Sequence, residues 1–132
     1  MIVIDASAAV DLVLGIDPHS GEILRAIEGQ GTGMAAPHLL DAEVGQVLRR
    51  LVLQRVLTKR RALQAIEDLA ALPIRRFAHG FLLERAFALH SNMTVYDALY
   101  VALAEALRAP LVTRDRALAS VPGHRAKVVV MQ

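Results

Sequence analysis

The sequence predicts an α/β protein, a three-layer α/β/α sandwich with a central parallel sheet. Two observations predict this fold. Short, strongly apolar runs alternate along the chain with longer runs of helical periodicity, and no internal repeat interrupts the alternation. Short apolar strands separated by helices are typical of a parallel sheet covered on both faces. The 132 residues also fall in the commonest size range for one domain, so residues 1–132 are predicted to form a single domain.

The first half of the chain is predicted to contain two strands and three helices. Gly15 and Pro37 are stop signals, and Asp17 followed by Pro18 is a helix start, because aspartate caps a helix and proline suits its first turn. The predicted elements are, in order, a strand at 2–4, helices at 7–15 and 17–29, a strand at 33–37 and a long amphipathic helix at 38–55.

The second half continues the alternation, beginning with Thr58 as an N-cap. The predicted elements are a helix at 58–72, a strand at 73–77, helices at 80–92 and 94–108, a strand at 110–115, one helical turn at 116–120 and a closing strand at 126–131.

The composition excludes several classes of protein. The chain has no cysteine, which rules out disulfides and thiolate metal sites. Its N-terminus does not resemble a signal peptide, and no apolar run approaches the ~20 residues of a membrane span. We therefore expect a cytoplasmic protein with no membrane segment. The hydrophobic content of 55% and mean hydropathy of +0.40 are high, so apolar surface should remain for a partner or a second copy of the chain.

Two carboxylates follow predicted strands. Asp5 comes directly after the strand at 2–4, and Asp115 follows the apolar run within 110–115. Parallel α/β sheets place their active sites beyond the C-terminal ends of the strands, so both acids lie where chemistry is expected. Each could instead simply cap the helix that follows it, a role that Ser7 could also fill.

Glu43 lies on the apolar stripe of the helix at 38–55. It is three residues after Leu40 and four before Val47, which places it on their face. A buried, unpaired carboxylate is costly, so an inward-facing glutamate needs a partner or a metal ion. The alternative is a glutamate at the edge of the stripe that reaches water.

Asp97 lies one turn into the stretch MTVYDALYVALAEAL at 93–107. Thr94 and Asp97 resemble a capping box in which aspartate replaces glutamate, which explains why an acid is tolerated there. The helix is nevertheless apolar on every side. It should therefore lie inside the fold, with the Asp97 carboxylate facing the protein or a cleft.

Four carboxylates in one cleft repel each other unless a divalent cation neutralises them. An all-oxygen ligand set suits Mg²⁺ or Mn²⁺ better than Zn²⁺, and Mg²⁺ with open water positions is common in phosphate chemistry. The five histidines lack metal-motif spacing and are predicted to be surface or capping residues.

Four segments together resemble the PIN-domain family, most closely the VapC toxins of bacterial toxin–antitoxin pairs. They are IVIDAS, HLLDAEVGQVLRR, TVYDALYVALAEAL and LVTRD, in the family's order and rough spacing. The resemblance covers essentially the whole chain and implies a metal-dependent endoribonuclease. By position, Asp5, Glu43, Asp97 and Asp115 match the family's acidic quartet. Asp5 and Asp97 match the primary Mg²⁺ ligands, and Ser7 and Thr113 match supporting hydroxyls.

The resemblance also implies partners. The substrate would be RNA, with tRNA or another structured RNA favoured, and a cognate antitoxin would lie over the helices at 38–55 and 58–72. A homodimer is expected as well. Arg114 and Arg116 flank Asp115 and are candidate RNA contacts, unless they are ordinary solvated charges. A catalytically silent PIN-like module that binds RNA or a protein is the alternative function.

Overall fold

A computed structural model describes residues 1–30 and 33–132. Its centre is a five-stranded sheet in which every pairing is parallel, flanked by helices, as predicted. The strands are β1 (Ile2–Ile4), β2 (Met34–Pro37), β3 (Ile74–Phe77), β4 (Leu111–Thr113) and β5 (Val128–Val130). Their order across the sheet is β3-β2-β1-β4-β5.

Seven helices are found in the described part of the chain, each within one predicted helical segment or overlapping it. They are α1 (Ala6–Leu14), α2 (His19–Gln30), α3 (Leu39–Leu53), α4 (Lys59–Ala71), α5 (Leu83–Ala88), α6 (Val95–Leu107) and α7 (Arg116–Ser120). None of the described helices is long and apolar enough to cross a membrane.

The largest difference from the predicted boundaries is at α5, which covers only Leu83–Ala88 of the predicted 80–92. The flanking backbone hydrogen bonds join residues three apart, from Leu82 N to His79 O and from Asn92 N to Leu89 O. These are turns rather than α-helix. Gly80 and the Ser–Asn pair at 91–92 explain them, because such residues favour turns.

The start of α2 also differs from the prediction of Asp17 as N-cap. The helix begins at His19, and the Asp17 carboxylate accepts a hydrogen bond from the Ser20 hydroxyl at 2.9 Å. Thr58 does cap α4, since its hydroxyl accepts the Arg61 N–H.

The middle of helix α6 is enclosed by the fold. Every residue from Ala98 to Leu103 is buried, and α6 contacts β1, β2, β4 and α5. This explains the absence of a polar face in its middle turns, since no side of them meets water. In the first turn Asp97 is half-buried and Tyr96 is exposed.

The central position of β1 brings two predicted acids to one edge. β1 pairs with β4, with Val3 opposite Leu111 and Ile4 opposite Val112. The C-terminal ends of both strands therefore open at the same edge, where Asp5 and the segment around Asp115 emerge.

Candidate active site

Asp5 is held by three donors at the end of β1. Its Oδ1 accepts the Ser7 hydroxyl at 2.6 Å and the Ala8 N–H at 3.0 Å, and its Oδ2 accepts the Thr113 hydroxyl. Asp5 is thus the N-cap of α1, as the capping interpretation held. The two side-chain donors exceed what a cap requires and fix the direction of the carboxylate.

The hydroxyls of Ser7 and Thr113 link Asp5 to the segment after β4. Thr113 is fully buried, and its Oγ1 also accepts the Asp115 N–H at 2.9 Å. Ser7 Oγ lies 3.5 Å from Thr113 Oγ1 and accepts the Arg114 N–H at 3.1 Å. One hydrogen-bonded group therefore positions Asp5 and the backbone that leads to Asp115.

Glu43 has the partner that its position on the apolar stripe required. It is half-buried on α3, and its Oε1 accepts the hydroxyl of Tyr100 on α6 at 2.6 Å. Burial raises the pKa of the Glu43 carboxyl, the hydrogen bond from Tyr100 opposes this rise, and the negative charges of Asp97 and Asp5 add to it. Burial and the Glu43 carboxylate likewise raise the pKa of Tyr100.

Asp97 lies in the first turn of α6, where Thr94 Oγ1 accepts its N–H at 3.1 Å. This is the Thr94 half of the predicted capping box. The Asp97 side chain is half-buried, and burial raises its pKa, followed by the negative charges of Asp115 and Asp5. The Thr94 cap explains the backbone conformation at the start of α6. The repulsion from Asp115 and Asp5 shows in addition that Asp97 lies near other acids.

Asp115 is exposed and is the N-cap of α7, because its Oδ1 accepts the Ala117 N–H at 2.9 Å. The capping interpretation therefore holds here too. The negative charge of Asp115 nevertheless raises the pKa of Asp97, as does that of Asp5. The charges of Asp97 and Asp5 in turn raise the pKa of Glu43. All four predicted acids are electrostatic neighbours at the C-terminal edge of the sheet.

The arrangement is open rather than a closed metal cage. Across residues 1–30 and 33–132, no three His, Asp or Glu side chains stand close enough to hold one ion as they are placed. The donors are nevertheless all oxygens, and the second oxygen of Glu43 makes no hydrogen bond to the described residues. Because Mg²⁺ keeps several waters and uses one or two carboxylates directly, this open set of oxygens suits a hydrated Mg²⁺ or Mn²⁺.

A separate cavity of 570 Å³ lies at the other end of the sheet, near Pro110 and Lys127. These residues immediately precede β4 and β5, whereas the acidic quartet lies beyond the C-terminal ends of the strands. No member of the quartet lines this cavity. The candidate site is therefore the acidic edge of the sheet and not this cavity.

Asp11 was not among the predicted site residues, and His19 is more buried than predicted. Asp11 is fully buried in α1, with His19 Nδ1 2.6 Å and Arg114 Nε 3.1 Å from its Oδ2. The expectation that every histidine is a surface or capping residue is therefore wrong for His19. A lone carboxylate in the apolar stretch at 7–15 was the available signal.

The predicted RNA contacts, Arg114 and Arg116, are both exposed beside Asp115. Arg116 lies 3.5 Å from the side-chain oxygen of Gln132 through one terminal nitrogen. The structure thus brings both arginines to the same edge as the quartet.

Comparison with known proteins identifies the family. The family model described as PIN domain matches residues 2–124. Ribonuclease VapC1 of Mycobacterium tuberculosis is 45% identical over 122 residues, covering 92% of this chain and 90% of that protein. Ribonuclease VapC12 of the same organism is 38% identical over 128 residues, covering 97% of each. A solved toxin–antitoxin complex from Klebsiella pneumoniae shares the fold, with a TM-score of 0.67, 21% identity, and coverage of 98% and 97% of the two chains. The chain therefore belongs to the PIN-domain family and is a relative of the VapC ribonucleases.

Proposed function

We propose that the chain is a Mg²⁺-dependent endoribonuclease that acts as the toxin of a toxin–antitoxin pair. The observation that carries the proposal is the grouping of acids at the C-terminal edge of the sheet, where the hydroxyls of Ser7 and Thr113 hold Asp5 and that of Tyr100 holds Glu43. Negative charge concentrated at the catalytic edge of a parallel sheet favours a divalent cation. The ribonuclease names of the 45% and 38% identical relatives support the same reaction.

In this proposal Asp5 and Asp97 would be the primary ligands of a Mg²⁺ or Mn²⁺ ion, completed by Glu43 and Asp115. When bound, the ion would supply a water molecule of lowered pKa and positive charge beside the scissile phosphate. Ser7 and Thr113 keep Asp5 oriented through their hydrogen bonds. Glu43, oriented by Tyr100 and with a raised pKa, is suited to receive the proton of the attacking water.

The decisive experiment is RNA cleavage by purified protein free of antitoxin. Total RNA, with tRNA analysed first, is incubated with Mg²⁺, Mn²⁺ or EDTA. Asp5→Asn and Asp97→Asn should each lower cleavage by about 100-fold or more while circular dichroism stays unchanged. Asp41→Asn is the matched control, because Asp41 is two residues from Glu43 on α3, faces away from it and forms an ion pair with Arg76 of β3.

Retained cleavage in either site variant would refute the metal assignment. A wild-type protein that cleaves no RNA with either ion would favour the alternative, a PIN-like module that binds RNA or a protein without catalysis. RNA binding in the absence of cleavage would then be the relevant activity.

The antitoxin is proposed to occupy an apolar groove between α3 and α4. The groove measures 320 Å³ and is lined by apolar side chains, with Arg49 and Lys59 beside it. Leu53 and Leu63 are 65% and 51% exposed there. The likeness to a toxin–antitoxin complex supports a protein occupant. The two cations favour an antitoxin segment that carries acidic residues beside its apolar ones.

Homodimerisation is proposed to use exposed aromatic side chains on α5 and on the segments beside it. Phe81, Phe87 and Tyr96 are 62%, 61% and 63% exposed. They lie on different elements from the groove, so a second copy and an antitoxin need not compete. Phe87→Glu should convert a dimer to a monomer in sedimentation experiments without affecting the groove. A dimer that survives this substitution would refute the assignment.

A further inference from the structure

Arg114 is attached to the protein through both its backbone and its side chain. Its N–H donates to Ser7 Oγ at 3.1 Å, and Ser7 donates in turn to Asp5. Its Nε lies 3.1 Å from Oδ2 of the buried Asp11. Arg114 is therefore fixed relative to the acidic quartet at two points.

A second cation meets the same Asp11 oxygen. His19 Nδ1 lies 2.6 Å from Oδ2 of Asp11, and His19 Nε2 lies 2.9 Å from the main-chain oxygen of Gln132. Carboxylate and carbonyl oxygens only accept hydrogen bonds, so these two contacts favour the imidazolium form of His19, in which both ring nitrogens donate. This charge compensates the burial of the Asp11 carboxylate, which would otherwise be costly.

We call Asp11, His19 and Arg114 the Asp11 cluster. It combines one carboxylate with two cations, so one positive charge is left over. Since His19 already offsets Asp11, the charge of Arg114 remains available to another anion.

The free end of Arg114 is its terminal guanidinium. The side chain is 43% exposed, and its Nε is the nitrogen that lies 3.1 Å from Oδ2 of Asp11. The terminal nitrogens form no hydrogen bond with the residues described. Arg76 differs, because Nε and one terminal nitrogen both bind Asp41, at 2.7 and 2.8 Å. Arg114 is thus held at its Nε, while its two terminal guanidinium nitrogens are available to a ligand beside Asp115.

Building on the proposed nuclease function, we propose that Asp11 is a positioning residue that holds Arg114 so that its terminal nitrogens bind a backbone phosphate of the RNA. A planar guanidinium fixed in advance loses less conformational entropy on binding than a free one, and its fork matches phosphate geometry. Asp11 itself does not touch the RNA.

The first test measures binding of fluorescently labelled tRNA in EDTA, so that cleavage is not required. Asp11→Asn and Arg114→Ala should each weaken binding by about 5–10-fold at low salt. Each should also reduce the slope of log K against log salt concentration by about 1, the value expected for one lost phosphate contact. The double variant should bind no more weakly than Arg114→Ala, because Asp11 acts through Arg114. Asp11→Asn combined with Arg116→Ala should instead be additive, and Asp41→Asn should bind like wild type.

Additive losses in the Asp11→Asn/Arg114→Ala pair, or tRNA binding that neither substitution weakens, would overturn the inference. Arg114→Lys provides a test that leaves Asp11 intact, in case Asp11→Asn does not fold. A lysine ammonium cannot contact Asp11 and a phosphate through separate nitrogens, so this variant should bind more weakly than wild type. Binding at the wild-type level would overturn the proposal.

Kinetics separate positioning from a merely structural role. In cleavage assays Asp11→Asn should raise KM by about the same 5–10-fold with kcat largely retained, whereas partial unfolding would lower kcat and leave KM unchanged. The latter result overturns the inference. A wild-type protein that binds tRNA but never cleaves it would refute the nuclease function alone, since the binding cycle still tests Asp11.

Discussion

The hydroxyl of Tyr100 donates a 2.6 Å hydrogen bond to Oε1 of Glu43, joining α6 to α3 across the candidate site. Tyr100 is only 2% exposed, so its ring is fixed by packing and its hydroxyl has a single direction. Glu43 thus has one oxygen committed to the protein and one directed elsewhere. This geometry is what a positioned base requires.

Replacing Tyr100 by phenylalanine should shift the pH dependence of RNA cleavage. The hydrogen bond from Tyr100 lowers the pKa of Glu43, which burial and neighbouring acids raise. Without the hydroxyl this pKa rises further, so the acid limb of the pH–rate profile should move to higher pH. Cleavage rates between pH 5 and pH 9 would measure the shift. Tyr96→Phe is the control, since Tyr96 is 63% exposed.

Glu43→Gln should stabilise the metal-free protein at neutral pH. The pKa of Glu43 is raised in the fold, so ionisation disfavours the folded state and stability falls as pH rises above the ordinary carboxyl pKa of 4.5. Glutamine removes the charge and can still accept the Tyr100 hydroxyl. The free energy of unfolding in urea with EDTA should rise by about 0.5–1 kcal/mol at pH 7.5, allowing for solvent screening.

The difference between Glu43→Gln and wild type should shrink as pH falls below the ordinary carboxyl pKa of 4.5, because Glu43 then becomes protonated in the folded and the unfolded state. Added Mg²⁺ should stabilise wild type more than the variant. Equal free energies of unfolding for the two proteins at all pH values would show that ionisation of Glu43 does not destabilise the fold.

The position of Glu43 was readable from sequence, but the identity of its partner was not. The helical period placed Glu43 on a buried stripe, which required a partner. Tyr100 lies 57 positions away, and only the packing of α6 against the sheet brings it within 2.6 Å. Periodicity fixes which face of a helix is buried, whereas pairs between helices depend on how the helices pack.

The same limit applies to Asp11 and to the ends of elements. Asp11 pairs with residues 8 and 103 positions away, through contacts that no local pattern contains. Helix α5 is shorter than predicted because turn-forming residues at both ends compete with the helical period. By contrast, the parallel sheet was predicted correctly from the alternation of short apolar runs with helical runs. The caps at Thr58 and Thr94 were predicted correctly from the residues at the helix starts.

Thr113→Val should destabilise the fold and abolish cleavage together. Thr113 is fully buried, and its hydroxyl donates to Asp5 and accepts the Asp115 N–H. Valine has the same shape but leaves both groups without that partner, which should cost about 1–3 kcal/mol in urea unfolding. Thr113→Ser keeps the hydroxyl and should recover most of the cleavage activity. Full activity in the valine variant would show that the hydroxyl does not support Asp5.

Leu63→Lys should prevent antitoxin binding while leaving RNA cleavage intact. Leu63 is 51% exposed and lines the groove between α3 and α4, so a lysine there adds charge where an apolar side chain is expected to bind. Co-purification with the antitoxin measures the loss, and the cleavage assay checks the fold. Leu24→Lys, on α2 and 50% exposed, is the matched control. Undiminished antitoxin binding by Leu63→Lys would place the partner elsewhere.

His19 should make the stability of the protein depend on pH in a direction opposite to acid denaturation. Its hydrogen bond to Asp11 is the main cause that raises its pKa above the ordinary 6.5, helped by the Gln132 carbonyl and by Glu22. A histidine with a raised pKa contributes stability that is fully present below pH 6.5 and is lost as pH rises through the folded-state pKa. Urea unfolding of wild type and His19→Gln should therefore differ most at pH 6 and converge above the raised pKa. A His19→Gln difference that is constant from pH 6 to pH 9 would mean that the buried Asp11 carboxylate is balanced without the imidazolium, leaving Arg114 as its main counter-ion.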